Sequence, residues 1–122
     1  MTSSSHGWIC YLEIPATDVT RSSEFYRDSF GWALRQHGDG TTAFDDGSEG
    51  RIVSGMWVTD RPPMAEPGIV ISIMVDDIEA ASNRVEQSGG SIVRPFDPDG
   101  PERIAWFRDP GGNVMGLYQE RG

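Results

Sequence analysis

Tyr11-Leu-Glu-Ile-Pro-Ala-Thr-Asp18 is the stretch whose reading decides the fold. Side chains of unlike character alternate along it, the pattern of a strand with two different faces. Pro15 breaks the alternation, and Asp18 stands where a helix N-cap is wanted, its carboxylate placed to accept orphan backbone N–H groups. Working outward, Ile9, Tyr11 and Glu13 share one face, and Cys10, Leu12 and Ile14 take the other. The second set is uniformly apolar and is expected to meet a helix. The first mixes a ring with a carboxylate and is expected to line something wetter. A weaker copy of the same phrase returns at Val70-Ile-Ser-Ile-Met-Val-Asp-Asp77. A short chain that repeats one strand-to-cap phrase reads as two half-domains facing each other.

Between the copies the pattern is regular. Val19, Ser22, Ser23, Tyr26 and Phe30 recur at helical steps, and Gly31 is placed to end that helix. Trp32 to His37, Thr41 to Phe44 and Ile52 to Val58 read as strands, with a turn at Gly38-Asp-Gly40 and a polar loop from Asp45 to Gly50. Thr59 to Gly68, with prolines at 62, 63 and 67, has the composition of a linker. Ile69 to Val75 restarts the pattern, and Asp76 or Asp77 caps a second helix with Ile78, Ala81, Ser82 and Val85 inward and Gly89-Gly90 at its end. Strands follow at Ser91–Phe96, Arg103–Arg108 and Val114–Gln119, the last two joined by the tight turn Asp109-Pro-Gly-Gly-Asn113. The expectation is an α+β domain of two βαβββ modules. A flexible lead-in covers 1–7, module one 8–58, the linker 59–68 and module two 69–119, in a single domain over 8–120. Each sheet takes its helix on one face, and the other faces combine into a cupped surface.

Composition narrows the function. With 122 residues, 37% of them hydrophobic, the chain holds one modest core. A formal net charge of −9 repels phosphate backbones and anionic lipid, so neither nucleic acid nor membrane is an expected partner. All ten basic residues are arginine; without lysine there is no Schiff-base or lysine-anchored pyridoxal chemistry. The first seven residues carry neither the basic nor the apolar part of a secretory signal, and the single cysteine, Cys10, makes no internal disulfide. A cytoplasmic location is expected.

The order and spacing of three stretches resemble the vicinal oxygen chelate superfamily of glyoxalases, bleomycin-resistance proteins and extradiol dioxygenases. They are Ile14-Pro-Ala-Thr-Asp-Val19 with Phe25-Tyr-Arg-Asp-Ser-Phe-Gly-Trp32, Val75-Asp-Asp-Ile78 with Gly89-Gly90, and Phe107-Arg-Asp-Pro-Gly-Gly-Asn113. The resemblance implies a duplicated βαβββ fold and, in metal-binding members, four ligands in the cup. Carried onto this sequence, the first-strand positions are Tyr11 and Val70 and the last-strand positions are Gly55 and Gly116. Valine and glycine bring no donor, and a neutral tyrosine is a poor first ligand. No cofactor is expected, although a divalent metal at an unorthodox site, with His37, Glu13 or Asp45/Asp46 as donors, stays open. The resemblance also implies a homodimer, in which some relatives build each cup from halves of two chains.

What remains for the cup is an apolar, aromatic pocket with one acid: Tyr11, Glu13, Trp57, Ser72, Met74 and Tyr118. Two glycines at the former carboxylate positions are expected to open its volume. Glu13 has two readings. One is a buried carboxylate of raised pKa that serves as a catalytic base or anchors a cation; the other is an acid satisfied by an arginine such as Arg103 or Arg51. Cys10 is expected on the helix side, away from any nucleophilic role, and the Gly38 and Gly111 turns are hairpins, not phosphate loops. Three functions compete. The first is a metal-independent binder of an aromatic or cationic small molecule. The second is a lyase, isomerase or dioxygenase using Glu13 or an unorthodox metal site, and the third a dimeric scaffold with a vestigial pocket.

Overall fold

Asp18 does what its place in the sequence predicts. In a computed structural model, which describes residues 6–47 and 52–120, strand β1 (Tyr11–Pro15) leads to Asp18, whose Oδ1 accepts the Arg21 N–H at 3.0 Å and opens helix α1 (Val19–Phe30). Most of the expected lead-in, the far end of the Asp45–Gly50 loop and Arg51 lie outside the described residues. Gly31 ends α1 with φ 76°, a left-handed conformation that suits glycine, and donates its N–H to the Arg27 carbonyl at 2.9 Å. Strands β2 (Ala33–Gln36), β3 (Thr42–Asp45) and β4 (Ser54–Val58) complete the half. The sheet order is β1-β4-β3-β2, with β1 and β4 parallel.

The second half repeats this plan. Strand β5 (Ser72–Met74), helix α2 (Ile78–Gln87) and strands β6 (Ser91–Arg94), β7 (Ile104–Arg108) and β8 (Val114–Tyr118) form a second sheet in the order β5-β8-β7-β6. Asp77, rather than Asp76, caps α2, accepting from the Glu79 and Ala80 N–H groups. Two four-stranded mixed sheets, each with its own helix, make the α+β duplication that the repeated phrase predicts. β1 and β5 are shorter than their apolar runs, and each is an edge strand with one partner, β4 or β8.

One core serves both halves. Phe25 and Tyr26 on α1, with Phe44 and Trp57, join Ile78, Val85, Phe107 and Leu117 in a single cluster. Ring centroids of Phe25 and the adjoining Phe30 lie 5.8 and 5.6 Å from Phe107 on β7. Burying a side chain of this size is worth about 1.5–3 kcal/mol, so the helix-bearing faces hold the fold together. α1 and α2 lie against each other, and among the described residues no strand of one sheet pairs with a strand of the other. Both helices stand in the shared core, and the open faces lie outside it.

A buried polar knot fastens the halves. Tyr26 donates its hydroxyl to Asp109 Oδ2 at 2.8 Å. Asn113 Nδ2 donates to Asp109 Oδ2 at 2.9 Å and to the Pro15 carbonyl at 2.7 Å, while its Oδ1 accepts the Met64 N–H at 2.8 Å. Burial pushes the Asp109 carboxyl up, against hydrogen bonds from Asn113, Tyr26 and Gly111 that pull it down. Burial, and then the charge of Asp109, pushes the Tyr26 hydroxyl far above its ordinary value, so it stays a donor.

Candidate functional site

Strand register settles which residues share a face. In the first sheet Tyr11 lies opposite Ser54 and Glu13 opposite Met56, whereas Leu12 pairs with Gly55 and Ile14 with Trp57. Residues paired across a ladder share a side, so Tyr11 and Glu13 occupy the open face with Ser54 and Met56. Trp57 does not join them. It is only 2% exposed, with its ring 5.0 Å from Phe44 and 5.9 Å from Tyr26 on the helix side. Gly55 lies on that side too. A Cβ there would collide with the Leu12 carbonyl oxygen and come within 2.6 Å of the Phe44 ring, so the missing side chain opens no pocket; the Phe44 ring takes up the space.

In the second sheet the expectation and the structure agree more closely. Ser72 pairs with Gly116 and Met74 with Tyr118, which brings Ser72, Met74 and Tyr118 onto one open face. A Cβ on Gly116 would meet Ser72 Oγ at 2.6 Å and Val70 Cγ1 at 3.2 Å, so this glycine does lie under open-face side chains. Trp106 on β7 pairs with Gly116 on the other flank, and the Arg94 guanidinium sits 5.5 Å from its ring centroid. Across the two open faces Tyr11, Met74 and Tyr118 are 51%, 58% and 41% exposed. Ser72 and Met74 also border a cavity of about 440 Å³ between the halves, closed on its other side by Leu12, Trp32 and Phe44.

Glu13 is not the buried acid of the first reading. Its side chain is 39% exposed, and Oε1 receives Arg61 Nη2 at 2.6 Å. The partner is neither Arg103 nor Arg51 but an arginine of the linker. That hydrogen bond, with the charge of Glu13 behind it, holds the Arg61 pKa above its ordinary value. Nearby, Asp45 Oδ1 accepts Ser54 Oγ at 2.6 Å and Arg35 Nη2 at 3.1 Å. Sequence reasoning missed Arg61 because strand parity says nothing about a proline-rich linker; the only signal was a carboxylate on an open face in need of a cation. Cys10 precedes β1 and is exposed instead of facing the helix.

The metal that the resemblance implies does not fit these residues. Tyr11, Val70 and Gly116 are a phenol, a hydrocarbon and a bare backbone, and Gly55 is on the wrong side of its sheet. Asp45 is committed to Ser54 and Arg35, and among the described residues no three His, Cys, Asp or Glu side chains converge on a point.

The family model described as "Glyoxalase/Bleomycin resistance protein/Dioxygenase superfamily" matches residues 8–117. The chain belongs to this superfamily. A "Glyoxylase-like domain-containing protein" of Didymella fabae is 31% identical to it, covering 96% of this chain and 97% of the relative. The "Anthracycline biosynthesis protein DnrV" of Streptomyces peucetius is 28% identical over 98% of this chain, which spans 50% of that longer protein. Among solved structures, TnmS3, "an antibiotic binding protein from Streptomyces sp. CB03234", superposes with a TM-score of 0.67 at 23% identity, covering 98% of this chain and all of its own. Among the described residues of this superfamily member, no helix is long and apolar enough to cross a membrane.

Proposed function

We propose that this superfamily member binds a planar small organic molecule on the open faces of its sheets, without the chelated metal of other members, and that a second copy of the chain completes the cup. The exposure of Tyr11, Met74 and Tyr118, beside Trp106, carries the reading: these rings and this thioether lie outside the core and are grouped on the faces that no helix covers. TnmS3, an antibiotic binding protein, has the same fold, and DnrV is named for anthracycline biosynthesis; both lend support to a small organic ligand. The lone exposed thiol of Cys10 supports a reducing, cytoplasmic setting.

A thermal-shift screen of small aromatics against the dialysed protein tests the binding. A ligand at 100 times its Kd adds about 2.7 kcal/mol to stability, a shift that is easily read. No shift with any aromatic at millimolar concentration would reject the pocket. Elemental analysis of the same sample tests the other half, because nickel, zinc or iron retained one per chain through dialysis would overturn the metal-free reading.

A further inference from the structure

The linker does more than join the halves. Met64 donates its N–H to Asn113 Oδ1 at 2.8 Å and accepts the Val114 N–H on its carbonyl at 2.9 Å, so the segment is pinned beside the β7–β8 turn. Asn113 is itself fixed by Asp109 and by the Pro15 carbonyl at the end of β1. Arg61, three residues before Met64, is thereby delivered to Glu13 on β1, with its Nε 3.7 Å from Asp60 Oδ1. The pair is 48% and 39% exposed, and an exposed ion pair adds little to folding stability. Stability is therefore a poor reason for placing it there.

Its effect on the open face is larger. Glu13 alone, in a chain of net charge −9, would make the site a receptor for cations. Arg61 closing on it counters the charge of Glu13, Nη2 on Oε1, while Asp60 lies on the Nε flank of the same guanidinium. Both side chains are partly exposed, so a ligand on the face that carries the exposed Tyr11 ring can reach guanidinium N–H donors and carboxylate acceptors there.

We propose that Arg61 sets ligand specificity at this site. Through its pairing with Glu13 it selects a planar ligand bearing a neutral group with an acceptor for Arg61 and a donor for Glu13, such as a carboxamide or a hydroxy-ketone, and it turns organic cations away. The inference rests on reading the open face as the ligand site.

The test is calorimetric titration of wild type, Arg61→Ala, Arg61→Lys and the double variant Arg61→Ala/Glu13→Gln with three probes of one shape: naphthalene carboxamide, naphthylmethylammonium and naphthoate. Wild type should bind the carboxamide about tenfold tighter than the cation, the loss expected when one charge-assisted hydrogen bond is missing. Arg61→Ala should reverse that order, and the double variant should lose the cation again because Glu13 is no longer an anion. Arg61→Lys should still reject the cation but bind the carboxamide more weakly, since an ammonium lacks the planar fork. Carboxamide and cation binding Arg61→Ala with the wild-type ranking would overturn the role of Arg61 and leave the ligand site standing. None of the three probes binding wild type would reject the site and this inference with it. A melting midpoint for each variant, expected within a few degrees of wild type, shows that the changes are not unfolding.

Discussion

Gly55 and Gly116 look equivalent in sequence, but the strand registers put them on opposite kinds of face, so a methyl group added to each would meet different neighbours. At Gly55 it meets the Leu12 carbonyl oxygen and the Phe44 ring, neither of which can retreat from a packed core. Gly55→Ala should therefore cost about 1–3 kcal/mol or more, as overpacking does. At Gly116 the nearest atom is Ser72 Oγ, which a χ1 rotation removes, so Gly116→Ala should cost less than about 1 kcal/mol. Urea midpoints compare the two, and equal losses would mean that Gly55 is not where the register puts it. Asp109 makes a prediction of another kind. Because burial raises its pKa, the folded chain holds that proton more tightly than the unfolded chain does. Its contribution is full below the ordinary carboxylate pKa of about 3.9 and declines as pH rises through the raised value. Asp109→Asn removes the titration, so the stability difference should move against wild type as pH rises from about 4. A difference that stays flat, or moves the other way, in urea melts across that range would refute the sign.

At the scale of elements, β1 and the linker depend on one side chain. Asn113 bonds the end of β1, the Met64 amide and Asp109 together. Asn113→Ala leaves the Pro15 carbonyl and the Met64 N–H without partners and should cost about 3 kcal/mol. The linker should also loosen locally, so hydrogen exchange at the Met64 amide should speed up by more than the global loss explains; unchanged protection there would count against the pinning. Elements of this kind show what the sequence makes legible. Asp18, Gly31 and Asp77 announce the helix ends by local chemistry, and the repeated phrase announces the duplication. Alternation also placed Gly55 and Trp57 on one face together, correctly. It could not say which face, because period-two patterning gives relative orientation while the β1–β4 register gives the absolute one. A matched position taken one residue off moves the whole strand face, and Trp57 went from core to pocket that way. The Arg61–Glu13 contact was beyond reach for a different reason: it depends on where the knot at Asn113 holds a segment that has no period at all.

The whole molecule leaves something uncovered. Its core lies on the helix-bearing sides of both sheets, while Tyr11, Met74 and Tyr118 stay half exposed on the open faces. Among the described residues, β1 and β5 each also keep one edge without a strand partner. Exposed rings on a face and open strand edges are the usual marks of an interface, and a self-complementary pairing about a two-fold axis would cover both sheets at once. A stable dimer needs about 800 Å² from each partner, an area that a four-stranded face can supply. The protein should sediment as a dimer at micromolar concentration. Met74→Glu and Tyr118→Glu should each shift it toward monomer while leaving the far-ultraviolet circular dichroism spectrum unchanged, because neither side chain belongs to the core. A wild-type monomer would refute the dimer outright. A dimer that survives both substitutions would place the interface elsewhere, and the open faces would then have to meet their ligand without a second chain to close over it.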